Sequence, residues 1–145
     1  MVIKVVVKTP IYPTEDPEKV KKAVKNVFVP ISYKVVEKDK NMKILVAEGY
    51  GYTSLIKIYN ALRREKILDS ARRSLLAGLK GNKIVFALHK QAAYVNIVSF
   101  CDFEINPPLG VIEFEVETDK PEDLINWLAP PTKNGVPIKE YPPPI

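Results

Sequence analysis

At 145 residues, 46% hydrophobic and 27% charged, the chain has the composition of a folded protein of one-domain size, not of a disordered segment. Its one cysteine, Cys101, excludes an internal disulfide and a cysteine-based metal cage. No apolar run reaches the roughly 18 to 20 residues that a membrane-spanning helix needs.

The net charge of +5 is unevenly spread. Residues 1–100 carry 19 Lys+Arg against 8 Asp+Glu, and residues 101–145 carry 3 against 9. Two readings follow: a basic face for a polyanion with an acidic edge elsewhere, or halves that neutralise each other within the fold or across a dimer. The start, Met1-Val2-Ile3-Lys4, sets a charge inside its apolar run, unlike a signal peptide, so a cytoplasmic protein is expected. A single glutamine, Gln91, beside abundant lysine points to a thermophile.

Taken in order, Val2 to Val7 reads as a strand, ended by Pro10 and Pro13. Thr14-Glu15-Asp16-Pro17-Glu18 then opens a helix, with a capping side chain, proline in the first turn and acids near the positive end of the dipole. Val20, Val24, Val27 and Phe28 recur at helical spacing, with Lys21, Lys22 and Lys25 pointing outward. Tyr33 to Val36 and Met42 to Glu48 form an antiparallel pair about a charged turn, residues 37–41.

Gly49-Tyr50-Gly51-Tyr52 leads to an N-cap at Thr53 or Ser54. Leu55, Ile58, Tyr59 and Leu62 make one helical stripe. After a break near Ile67, Leu68, Ala71, Leu75 and Leu79 make a second, closed by Gly78 or Gly81. Lys83 to Leu88 and Tyr94 to Phe100 read as strands, with a turn or short helix at Lys90-Gln91-Ala92-Ala93 between them. Ile112, Phe114 and Val116 alternate with Glu113, Glu115 and Glu117, a half-buried strand. Pro121 to Leu128 is a short helix, and the proline-rich tail from about Ala129 is extended. The expected architecture is one α+β domain over residues 1–145, two-layered, with an antiparallel-rich sheet and helices packed on one face.

Several residue sets invite chemistry. His89 and Cys101 are the only histidine and cysteine, but nothing supplies the third, orienting group of a nucleophilic triad. Glu113, Glu115 and Glu117 share a strand face and could hold magnesium, or be the wet face of the strand, or charges that stop edge-to-edge aggregation. Gly49, Gly51, Thr53 and Ser54 precede a helix start, where backbone N–H groups receive phosphate. A turn with an N-cap explains them as well, and no Gly-Lys-Ser/Thr phosphate loop exists. Lys57 and Arg64, then Lys66, Arg73 and Lys80, recur every seven residues, with Arg63 and Arg72 beside them. This is a phosphate-tracking stripe or simply a solvated face. Tyr50, Tyr52 and Tyr94 are candidate stacking platforms for bases.

Pro13-Thr14-Glu15-Asp16, Ser54-Leu55, Asp69 with Ala71-Arg72, Lys90-Gln91-Ala92-Ala93, Leu109-Gly110 and Leu128-Ala129-Pro130-Pro131-Thr132, in this order, resemble the motifs of a small archaeal family of uncharacterised proteins, the UPF0201/DUF54 type. One motif departs mildly: the family's Asp-Ala-Ala-Arg reads Asp69-Ser70-Ala71-Arg72. The resemblance implies a two-layer fold like that of the ribosomal protein that binds 5S rRNA, archaeal origin and a dimer. A related group of that fold has been suggested to associate with RNA-processing machinery. The family has no established activity, so no catalytic residue carries over.

The expected function is a non-enzymatic RNA-associated binding protein, without cofactor or metal. Arg72, Arg73, Lys90 and Gln91 are the leading contacts, extended by Lys57, Arg64 and Lys80. The alternatives are a scaffold subunit acting through homodimer or protein contacts, and an enzyme on a small phosphorylated substrate bound at Gly49 to Ser54.

Overall fold

The computed structural model of the chain describes residues 2–39, 41–101 and 110–144; Lys40 of the charged turn and Leu109 of the Leu-Gly motif lie outside them. The elements are β1 (Ile3–Ile11), α1 (Pro17–Val27), β2 (Ser32–Asp39), β3 (Met42–Tyr50), α2 (Ile56–Arg64), α3 (Leu68–Ala77), β4 (Leu79–Lys80), β5 (Lys83–His89), α4 (Lys90–Tyr94), β6 (Phe100–Cys101), β7 (Val111–Thr118), α5 (Pro121–Leu128), β8 (Thr132–Lys133) and β9 (Val136–Pro137). The main sheet runs β2-β3-β1-β7-β5-β4, with β6 also on β5, and every pairing is antiparallel. This is the expected α+β class.

Alternation decides which face is which. Val5, Val7, Leu45, Ile84, Phe86, Ile112, Phe114 and Val116 are buried, while Lys4, Lys8, Glu113, Glu117 and Lys83 face out. The helices cover the apolar face. Phe114 is the hub of this core, stacked on Phe86 at 4.8 Å and meeting Phe28 of the α1–β2 connection edge-on at 5.7 Å. Helix α1 starts as its sequence prescribes, with Asp16 accepting from the Glu18 N–H and proline in the first turn. A left-handed Lys66 (φ 57°) breaks α2 from α3, at the place the apolar stripe shifts. Gly78 ends α3 against β5: its carbonyl accepts from the Val85 N–H, and a Cβ there would lie 1.8 Å from the Val85 carbonyl oxygen.

Several expectations need correction: Pro10 lies inside β1 and does not end it, Leu79 belongs to β4 and not to α3, and Leu55, not Thr53 or Ser54, stands at the N-cap of α2. Tyr94 to Phe100 is not a strand: α4 takes Tyr94, Asn96 turns left-handed (φ 66°), and only Phe100 and Cys101 pair with β5. One small residue contributes to this, since the fully buried Ala93 lets α4 lie close on α1. The tail is not wholly extended. Asn134 and Gly135, both at positive φ, close the tight β8–β9 hairpin. Glu113, Glu115 and Glu117 guard no edge, because β7 sits between β1 and β5, but they do lie on the outward face of that strand.

Candidate nucleic-acid interface

Two arginines beside the basic stripes serve the fold. Helix α5 ends with carbonyls that have no partner further along the helix. Arg63 donates to the carbonyls of Trp127 (3.3 Å) and Leu128 (3.2 Å), to that of Tyr59, and through two nitrogens to the Glu140 carboxylate, at 2.6 and 3.0 Å. This fork–fork contact fixes the tail and holds the Glu140 carboxyl below its usual range. Arg72 donates to the Asn126 side chain and the Ala129 carbonyl, both at 3.0 Å, and Asp69 accepts from the Thr132 hydroxyl. The Asp69–Arg72 and Leu128–Thr132 segments, which carry part of the resemblance, are thus halves of one contact.

Two further such segments meet in the same way. Lys90 is 4% exposed, and its ammonium donates to the Pro10 carbonyl (2.7 Å) and to both oxygens of Glu15 (3.0 and 3.2 Å). Glu15 also accepts from the Tyr12 N–H. Burial pushes the Lys90 ammonium down in pKa, while Glu15 pulls the other way. The pair locks α4 to the β1–α1 turn. Its neighbour Gln91 is exposed, on the rim of a groove between α4 and α1.

Lys57 and Arg64 of α2 reach α1 and the loop after α4. Lys57 donates to the Lys25 carbonyl, at the negative end of α1. Seven residues on, about 10 Å along α2, Arg64 donates to the Asn96 carbonyl in the loop after α4. Asn26 of α1 donates to the carbonyls of Ala93 and Tyr94, and the Lys22 ammonium stands 4.9 Å from the Tyr94 ring centre. The contacts close a ring through α1, α2 and α4. Lys22, Lys25, Lys57 and Arg64 are exposed on it, and among the described residues no carboxylate pairs with Lys22, Lys25 or Lys57. Arg64 meets Glu65 at 3.5 Å. The positions of Lys22 and Lys25 among the outward lysines of α1 were legible, but their meeting with α2 was not, because no spacing along the chain encodes a contact across two helices.

The remaining candidates lie elsewhere. Arg73 and Lys80 are exposed, on α3 and β4, while Lys66 sits in the α2–α3 turn, so the second stripe does not follow one helix. At the glycine turn, the Gly51 N–H donates to the Ile3 carbonyl and both the Ser54 N–H and hydroxyl point to the Gly51 carbonyl. Ser54 is buried, and Gly49 leaves room for the Phe28 ring and Ser54, since a Cβ there would be 2.7 Å from Phe28. These groups are occupied within the fold. His89 and Cys101 lie on neighbouring strands, with the His89 N–H donating to Ser99 and Cys101 opposite Ala87.

Comparison with known proteins places the chain. A family model described as RNA binding matches residues 4–118. The UPF0201 protein of Saccharolobus solfataricus is 42% identical over 142 residues, covering 98% of this chain and 97% of its own. The crystal structure of the UPF0201 protein of Methanococcus jannaschii is similar with a TM-score of 0.84 at 35% identity, over 94% of this chain and 99% of that one. A DUF54 protein of Sulfolobus solfataricus, at 19% identity and a TM-score of 0.61 over 87% of this chain and 96% of its own, shares the fold. With its segments paired as described and its length matched almost end to end, the chain belongs to the archaeal UPF0201 family.

Proposed function

We propose that the protein is a cytoplasmic, non-enzymatic RNA-associated binding protein whose contact surface is the outer face of α1, α2 and α4. One observation carries the reading: Lys22, Lys25 and Lys57 are exposed on neighbouring helices without carboxylate partners among the described residues, with the Lys57 ammonium on the Lys25 carbonyl, those of Lys22 and Lys25 over the Tyr94 and Tyr33 rings, and Arg64 about two turns along α2. Like charges kept adjacent favour a polyanion, because each cation set on a phosphate releases a condensed counterion. The family model described as RNA binding supports the same reading. Lys and Arg grip phosphate, Gln91 reads a base edge or 2′-hydroxyl, and Arg73 and Lys80 widen the field. Arg72 and Lys90 contribute by holding the scaffold.

The test is anisotropy of a fluorescent structured RNA across a salt series, with matched duplex DNA as control. Lys57→Ala/Arg64→Ala should weaken RNA binding by roughly tenfold and lower the salt slope by about two, near one per lost contact. Lys4→Ala/Lys8→Ala, on the open sheet face, should leave both within about twofold. Equal losses from the two pairs, or equal affinity for DNA, would reduce the face to generic charge.

A second reading, a scaffold subunit that pairs with its own copy, rests on β2. This edge strand and its approach expose Ile31 (70%), Val35 (50%) and Val36 (38%). A solution mass above that of one chain, abolished by a charged residue at Val35, would favour it.

A further inference from the structure

We infer that the groove between α1 and α4 is a pocket for a single unpaired nucleobase, so that the protein selects RNA interrupted by unpaired nucleotides over continuous duplex. This rests on the RNA-binding reading and deepens it.

The groove is about 340 Å³, within the range of small-ligand sites, and Thr14, Asp16, Lys19, Ala23, Gln91 and Tyr94 line it. Its composition suits a base better than a phosphate. Val20 and Ala23 give an apolar floor, and Tyr94 supplies a ring at one wall. Gln91 offers a donor and an acceptor together, which is what the edge of a base requires. The carboxylates in the groove, Glu15 and Asp16, would repel phosphate. Glu15 is neutralised by Lys90, whereas Asp16 has one oxygen on the Glu18 N–H and a second that can accept from an exocyclic amino group. Lys90 is taken up by Glu15, Lys19 stands on the groove wall, and Lys22, Lys25 and Lys57 stand outside it. A free acceptor within, with Lys19 on the wall and further lysines around, matches a nucleotide whose base is turned in and whose backbone stays out.

Two further details fit. Asn26 holds the carbonyls of Ala93 and Tyr94, which fixes the end of α4 and so the Tyr94 ring. Lys22 rests over that ring at 4.9 Å. An exposed cation–π contact is weaker than stacking of a base on tyrosine, so an arriving base displaces Lys22 and leaves it to meet the adjoining phosphate. A continuous A-form helix presents no base that can leave its stack, and it would touch only the cations.

The experiment uses three RNAs with one stem sequence: uninterrupted, carrying one unpaired adenosine, and carrying an abasic site at that position. At physiological salt the unpaired adenosine should raise affinity on the order of tenfold over the uninterrupted stem, and the abasic form should fall back to it. Gln91→Ala, an exposed position that leaves folding intact, and Tyr94→Leu should each narrow the gap. An abasic form that binds as tightly as the adenosine form would show that bending, not a base, is recognised, and would overturn the pocket. Equal affinity for all three, still reduced by Lys57→Ala/Arg64→Ala, would overturn the pocket and leave the RNA reading standing. No binding of any of them would overturn both.

Discussion

The two broad faces of the molecule hold their cations in different company. On the open face of the sheet, register sets Lys4 opposite Glu117 and Lys8 opposite Glu113, and Lys83 stands opposite Glu117 while bridging Glu115 at 3.0 Å. These glutamates raise the pKa of Lys83, first through its hydrogen bond to Glu115. The acidic final third of the chain therefore threads its charges between lysines of the first two-thirds, and on this face the halves neutralise each other. The helix face has no such partner strand. Its lysines come from α1 and α2, which precede the acidic segment, and the acidic helix α5 packs against α3 and the Tyr59–Arg63 side of α2.

The faces also differ in what holds them, and substitutions can break that contrast. The largest effect should come from beneath the helix face. Lys90→Met strands the Glu15 carboxylate, 10% exposed at its side chain, and should cost about 3–5 kcal/mol in chemical denaturation. Adding Glu15→Gln should return much of that loss, since a buried pair removed whole costs far less than one broken. On the sheet face, Glu115→Ala should cost no more than about 1 kcal/mol, because Lys83 stays hydrated. Comparable losses at the two sites would erase the distinction.

The smallest effect should appear where the faces meet, on β2. The Tyr33 hydroxyl is buried with no hydrogen-bond partner among the described residues, and burial pushes its pKa up to about 12, with the Lys21 and Lys25 ammoniums over the ring. A raised folded-state value means stability that is intact below the ordinary tyrosine range near 10 and is lost as pH rises through about 12. Tyr33→Phe should therefore be nearly neutral at pH 7 and should flatten the alkaline arm of a stability-versus-pH profile. An unchanged alkaline arm would move that loss to another group.

Local patterns were readable and distant partnerships were not. The strict alternation of residues 112–117 gave a strand and its buried face, and Asp16-Pro17-Glu18 gave a helix start, because both signals lie within one turn or a few pleats. Tyr94 to Phe100 is as rich in β-branched residues as a strand, yet Asn96 in a left-handed turn and the packing of Ala93 on α1 override propensity. Lys90 and Arg72 looked like surface cations because their partners, Glu15 and Ala129, stand 75 and 57 residues away. The cation ring was half visible: its members were named on separate helices, and only the fold joins them.

The place of β7 has a consequence for synthesis. Strand β1, at the start of the chain, pairs on one side with β3 but on the other with β7, which ends at Thr118. A nascent chain can assemble β2-β3-β1 under α1 while β4 and β5 are made, yet the two groups stay apart until the ribosome has released the strand between them. Until then β1 and β5 each present an open apolar edge, the state in which a chaperone would hold this protein and in which a prematurely ended chain would aggregate.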